Sequence, residues 1–338
     1  MGGIGLDRMS DRQLYSWSLA AALAPGLFLA PAVPWLGVVL GVIVAGVFLW
    51  LLRRLEGKAM MPAGIAGQVR KACGPVLGRI LLLLAAAAMA AILSCLGVWC
   101  DEAFPTAGGL WLYPGILLVL AATAQYRGVA VPARVGAILG PVLTVMAGGM
   151  LLFALPDVHT AYLAPTAQAS GVGRVAAALL LPFAALWLRP HVRSTGSRVF
   201  LWGITAAAVL VLAAVVTGGS LGPVLSAGLP FPLYTMTQSL RLFGSMERFE
   251  AILSALMVAG FFASMLLALS AGTEMLRVLF QNSSGRWLGS VMAAAGYGGI
   301  WLVRENTFPI FAVAVLLFCG LMPLVVLSLV STKKDKKL

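Results

Sequence analysis

The sequence predicts an all-α integral membrane protein whose ten transmembrane helices form two inverted five-helix repeats. Three observations predict it. Of 338 residues, 61% are hydrophobic and only 10% are charged, where a soluble domain carries about a quarter charged. The apolar residues gather into ten runs, and at about 20 residues per crossing the chain holds material for about ten spans. The basic residues alternate between the connections, as the positive-inside rule requires. This composition excludes a soluble enzyme, a disordered chain and a disulfide scaffold.

The expected spans are Leu14–Ala32, Trp35–Leu52, Val76–Trp99, Leu110–Ala124 and Pro132–Leu155, then Val175–Leu188, Val199–Thr217, Ile252–Leu276, Trp287–Val303 and Pro309–Val330. Span 1 follows a polar dozen residues with other spans close behind, which argues against a cleaved signal peptide. Span 2 carries Gly37, Gly41 and Ala45 four residues apart, a small-residue stripe suited to close helix packing. Trp35, Trp99, Trp111, Trp187 and Trp301 lie near span ends and read as interfacial anchors. Between spans 7 and 8, the stretch Tyr234–Phe243 is too polar to cross and is expected along the membrane surface or re-entrant.

With the N-terminus cytoplasmic, 19 of the 23 Lys and Arg residues lie on the cytoplasmic side. Only Arg174, Arg241, Arg248 and Arg304 remain outside. Both termini are then cytoplasmic, and residues 332–338 form a basic tail. The net charge of +12 orients the chain and meets anionic membrane lipid; nucleic acid is not a partner.

Ten spans in one polytopic domain (residues 1–338) divide into repeats over about residues 12–155 and 173–331. Five is odd, so the second repeat is inverted, an arrangement common among secondary transporters. The leading helix of each repeat holds a breaker: Ala24-Pro25-Gly26 in span 1 and Pro182 in span 6. Proline removes a backbone donor and glycine tolerates unwinding. Such breaks bare backbone groups near the midplane, where a small zwitterion can bind; ordinary proline kinks are the simpler alternative.

Catalysis has no support. His159 and His191 lie on opposite sides of the membrane and cannot share a metal, and no nucleophile–base pair or phosphate-binding loop occurs. Gly171-Val172-Gly173-Arg174-Val175-Ala176 fits a dinucleotide fingerprint formally but follows no strand. Cys73, Cys95, Cys100 and Cys319 have no metal spacing and read as small buried hydrophobes. No cofactor or metal is expected. Spans contain almost no ionisable residues; Glu274 and Arg277, three apart at the end of span 8, are expected to pair. No carboxylate presents itself at the midplane as a proton carrier.

Phe231-Pro232-Leu233-Tyr234, then Arg241, then Met246-Glu247-Arg248-Phe249-Glu250-Ala251-Ile252 form the most distinctive stretch. Glu247, Arg248 and Glu250 stand on the threshold of span 8, where carboxylates suit a helix N-terminus. This pattern, with the opening Met9-Ser10-Asp11-Arg12-Gln13-Leu14, resembles the spore germination permease family. Its members are the B subunits of endospore germinant receptors, within the amino acid–polyamine–organocation superfamily. The resemblance implies a leucine-transporter-like fold with broken helices 1 and 6. It also implies germinant sensing beside A and C subunits in the spore inner membrane.

From the residues themselves, the ligand cradle is Ala24, Pro25 and Gly26 with Pro182, Phe183 and Leu186. Ser94 on span 3 and Gly260 and Phe261 on span 8 close its walls. These walls are mainly apolar and suit a small neutral amino acid. Nutrient sensing is the first expectation, a stand-alone amino acid transporter in the bacterial cell membrane the second, and a structural or pore-forming subunit the third.

Overall fold

The computed structural model describes residues 8–58, 64–103, 112–163, 169–192, 201–229, 231–239, 249–281 and 287–335. Its regular structure is helical. Helix α1 (Asp11–Leu29) starts where Ser10 and Gln13 close a reciprocal capping box: the Gln13 N–H donates to Ser10 Oγ and the Ser10 N–H to Gln13 Oε1. Two orphan donors at the helix end are thereby satisfied. The helix runs on through Pro25 and tightens into a 3₁₀ turn over Ala30–Ala32.

The rest of the first half comprises α2 (Trp35–Lys58), α3 (Gly64–Cys73), α4 (Pro75–Ala103), α5 (Leu112–Tyr126) and α6 (Ala130–Phe153). The second half opens with α7 (Ala169–Leu180), which gives way to a 3₁₀ segment over Leu181–His191. Then follow α8 (Leu201–Leu221), α9 (Pro223–Gly228), α10 (Pro232–Ser239), α11 (Phe249–Phe280) and α12 (Leu288–Val303). The chain ends in α13 (Thr307–Val315), a π turn over Leu316–Leu321, and α14 (Met322–Asp335).

Every expected apolar run is mainly helical over its described residues, but the count of spans needs correction. Eight stretches among the described residues, not ten, are long and apolar enough to cross a membrane. The fourth expected span, α5, is a 15-residue helix, about 22 Å at 1.5 Å per residue and shorter than a hydrocarbon core. The ninth and tenth merge into one 44-residue stretch, Leu288–Ser331. Its only interruption before the π turn is the 3₁₀ turn Arg304–Asn306.

The two proline-bearing leading helices lie at the centre. In their most apolar windows, 89% of α1 and 78% of the α7–3₁₀ unit are buried, against 28% of α2 and 33% of α6. Helix α11 packs against both. Glycines set the closest approaches: a Cβ on Gly140 of α6 would overlap the Ser16 backbone of α1, and one on Gly136 would overlap the Trp17 side chain. Such small-residue contacts let van der Waals packing substitute for the hydrophobic effect inside lipid. The stripe of α2 behaves likewise, with Gly41 seated 2.8 Å from Val175 of α7 by the same measure.

Other expectations are revised. Helix α10, which holds the described part of Tyr234–Phe243, is docked on protein, with Leu233, Met236 and Thr237 buried. Trp99 and Trp187 are buried rather than interfacial, whereas Trp301 is exposed. Trp187 donates from Nε1 to the Phe318 carbonyl in the π turn, at 3.4 Å. Glu247 and Arg248, and the side chain of Glu250, lie outside the described residues. Helix α3, not expected at all, begins at Gly64 with φ of +62° and packs against Pro190.

Candidate functional site

The site is built along the seam between α1 and α11. Pro25 has no N–H, so the Ala21 carbonyl loses its helical partner four residues on. Ser264 of α11 takes that place: its Oγ donates to the Ala21 carbonyl at 3.0 Å and also lies 2.9 Å from its own Gly260 carbonyl. The interruption of the first helix is therefore a broken hydrogen-bond ladder, mended from across the seam, without an unwound segment. On the same seam, the Trp17 indole donates to the Ala263 carbonyl at 3.0 Å.

Ala24 and Gly260 meet face to face, since a Cβ on Gly260 would lie 2.6 Å from that of Ala24. Phe261 joins them from α11, edge-on to Phe28 with ring centroids 6.1 Å apart. Gly26 points elsewhere, toward Leu210 of α8. Ser94 is also turned away, toward α12. Its Oγ is 2.7 Å from the Gly296 carbonyl and 2.9 Å from its own Ala90 carbonyl. A side chain on Gly299 would collide with it.

The second broken helix contributes Pro182, Phe183 and Leu186. Pro182 enters at the start of an 11-residue 3₁₀ segment, where runs beyond three or four residues are uncommon. Pro182 and Phe183 are buried and Leu186 half-buried. Phe183 stands edge-on to Trp202 of α8 at 5.8 Å, and the 3₁₀ segment also contacts α1. The sixth expected span thus breaks as a change of helix type, from α7 to the 3₁₀ segment. The structure brings Ala24, Gly260 and Phe261 together around α1. It disposes Gly26 and Phe183 toward α8 and Ser94 toward α12.

Two sets of contacts close the seam at its ends. At the C-terminal end of α1, Phe28 is surrounded by Trp99, Phe231 and Phe261, with centroids 5.7, 5.4 and 6.1 Å away. Trp99 continues to Phe311 at 4.7 Å. At the other end, His191 Nε2 lies 3.1 Å from Glu274 Oε2, and Arg277 lies 3.7 Å from the same oxygen. The expected Glu274–Arg277 pair is therefore part of a triad. The Met9 N–H donates to the His191 carbonyl at 2.9 Å, and Arg70 of α3 donates to the Val278 carbonyl at 3.3 Å.

Sequence reading missed Ser264, Trp17 and the aromatic group. Ser264 had a signal: it is a hydroxyl in an apolar helix, and Pro25 announces an orphaned carbonyl four residues before itself. Two further hydroxyls, Ser18 of α1 and Thr217 of α8, are buried and make no hydrogen bond among the described residues. Among those residues, no three His, Cys, Asp or Glu side chains gather to hold a metal ion.

No known family's sequence profile matches the chain, and no curated protein sequence does. Among solved structures, it is similar to Mhp1, a nucleobase-cation-symport-1 family transporter, in a closed conformation with bromovinylhydantoin bound. The likeness has a TM-score of 0.63 at 12% identity, over 94% of this chain and 78% of that one. At this identity the likeness establishes fold. The chain is a multi-pass, all-α membrane protein with a leucine-transporter-like inverted-repeat architecture and a broken first helix.

Proposed function

We propose that the chain is a secondary transporter of a small neutral solute, with an amino acid as the class that fits best. The carrying observation is the α1–α11 seam, where a proline-interrupted helix meets small residues and is closed at both ends by different chemistry. Between those ends its polar groups are uncharged, the Ser264 hydroxyl, the Trp17 indole N–H and the backbone carbonyls they meet, and around them stand Ala24, Gly260 and Phe261. Such a lining favours a neutral ligand over a charged one. Ligand would act by binding one closure state more tightly than the other. In this reading the merged stretch Leu288–Ser331 crosses twice, α5 crosses where the bilayer thins, and both termini are cytoplasmic.

The test is uptake of labelled neutral amino acids into proteoliposomes containing only this chain. Saturable uptake above protein-free vesicles supports transport. No uptake of any of them by folded protein overturns it.

A second reading is a germinant-sensing subunit working with A and C partners in the spore inner membrane. One observation favours it: Phe231, which opens the stretch resembling the germination permeases, touches Phe28 in the aromatic closure. Ligand-induced thermal stabilisation without uptake, together with co-purification of such partners, would select this reading.

A further inference from the structure

Away from the seam, helices α5 and α12 frame a groove of about 740 Å³. We propose that it is a binding site for an anionic phospholipid of the cytoplasmic leaflet. The two helices are held together at separate levels. Gly289 of α12 seats the Gln125 side chain, and Tyr297 lies 3.2 Å from where a Cβ of Gly115 would stand. Gln125 is fixed in turn, accepting from Ser270 of α11 at 2.7 Å. The groove is thus a built feature of the bundle.

Its chemistry is polarised along its length. Leu118, Ala122 and Ala294 line it, and Tyr297 lies at the far end beside Gly115. At the near end stand the exposed Arg127 and the hydroxyl-bearing Thr123 and Ser290. From Gly115 to Arg127 the chain rises about 18 Å at 1.5 Å per residue, close to the depth of one leaflet of a roughly 30 Å core. On the topology of the transport reading above, Arg127 lies on the cytoplasmic side with most of the basic residues, and anionic headgroups are attracted to that side. Val119 and Tyr126 on the groove's rim, and Val291 beside it, are exposed, so this face is open to lipid. An occupant with one negative headgroup and an apolar chain of about leaflet length satisfies both ends.

Purified full-length chain in nanodiscs of dioleoylphosphatidylcholine, with or without 20% or so dioleoylphosphatidylglycerol, supplies the test. Native mass spectrometry counts retained lipids and thermal unfolding reads stabilisation. Phosphatidylglycerol is expected to be retained preferentially and to raise the unfolding temperature. Arg127→Gln should weaken that retention about fivefold, the factor matching about 1 kcal/mol per basic residue at an anionic surface. Ala294→Trp should remove it by filling the groove, while Arg134→Gln, an exposed arginine outside the groove, should leave it intact. Equal retention of the two lipids overturns the proposal, as does equal loss in the Arg127 and Arg134 variants. It is likewise overturned if Ala294→Trp alters only the number of chains per particle, which would mean that a second copy covers the groove.

Discussion

The Ser264 hydroxyl stands 3.0 Å from the Ala21 carbonyl, the acceptor that Pro25 leaves without its helical donor. Two residues 243 positions apart thus complete one turn of α1. In lipid, an unmet carbonyl has no water to turn to, so this bond ties the conformation of α1 to the position of α11.

Removing the hydroxyl with Ser264→Ala is expected to lower stability by about 1 kcal/mol. Pro25→Ala restores an N–H beneath Ala21, so the double variant should lose less than the sum of the two single losses. Thermal unfolding in detergent measures the cycle. Strict additivity would separate Pro25 from Ser264 energetically.

At the Ala24–Gly260 contact, Gly260→Ala places one rigid methyl against another and is expected to cost about 1–3 kcal/mol. Ala24→Gly in the same chain removes the opposing methyl and should recover most of that loss. If the double variant melts no higher than Gly260→Ala alone, the two helices do not meet as described.

Phe28 centres the aromatic closure, so Phe28→Ala should cost about 3 kcal/mol. Leu302→Ala, on an exposed face of α12, should change stability by less than about 0.5 kcal/mol. Comparing the two unfolding midpoints against wild type checks the contrast. A reversed order would place Phe28 outside the packed closure.

Cysteine reactivity offers an independent reading of burial. Cys95, Cys100 and Cys319 are buried and Cys73 is only half-buried at the end of α3. A water-soluble maleimide should therefore add once to the folded protein and up to four times after denaturation, read by intact mass. Labelling of Cys73 should come from the side carrying the basic residues. More than one fast adduct would contradict the packing of α4 or of the π turn.

Much of the architecture is visible in the residue order. The Ser10–Gln13 cap, the apolar runs and the Pro25 and Pro182 breakers are local features, and each marks a local event in the chain. The same locality limits the family resemblance at Ser10–Leu14, because a capping box explains that pattern by helix chemistry alone. Packing direction is not local. Ser94 turns to α12 because Gly296 and Gly299 leave room there, and Gly26 turns to α8 because Leu210 fills its face. Trp99 sits near a span end yet is buried because Phe28 and Phe311 flank it. The short α5 and the merged final stretch also escaped, since hydropathy marks apolar content more clearly than where helices end.

The most direct measurement is the initial rate of neutral amino acid uptake by wild type, Gly260→Val and Gly148→Val chains in proteoliposomes. Gly260 faces Ala24 in the seam, whereas a side chain at Gly148 would meet open space. Wild type and Gly148→Val should take up the same substrate at similar rates. Gly260→Val, shown by its unfolding curve to be folded, should fall to the level of protein-free vesicles. Undiminished uptake by Gly260→Val, or no uptake by wild type, would contradict a transport site at the α1–α11 seam.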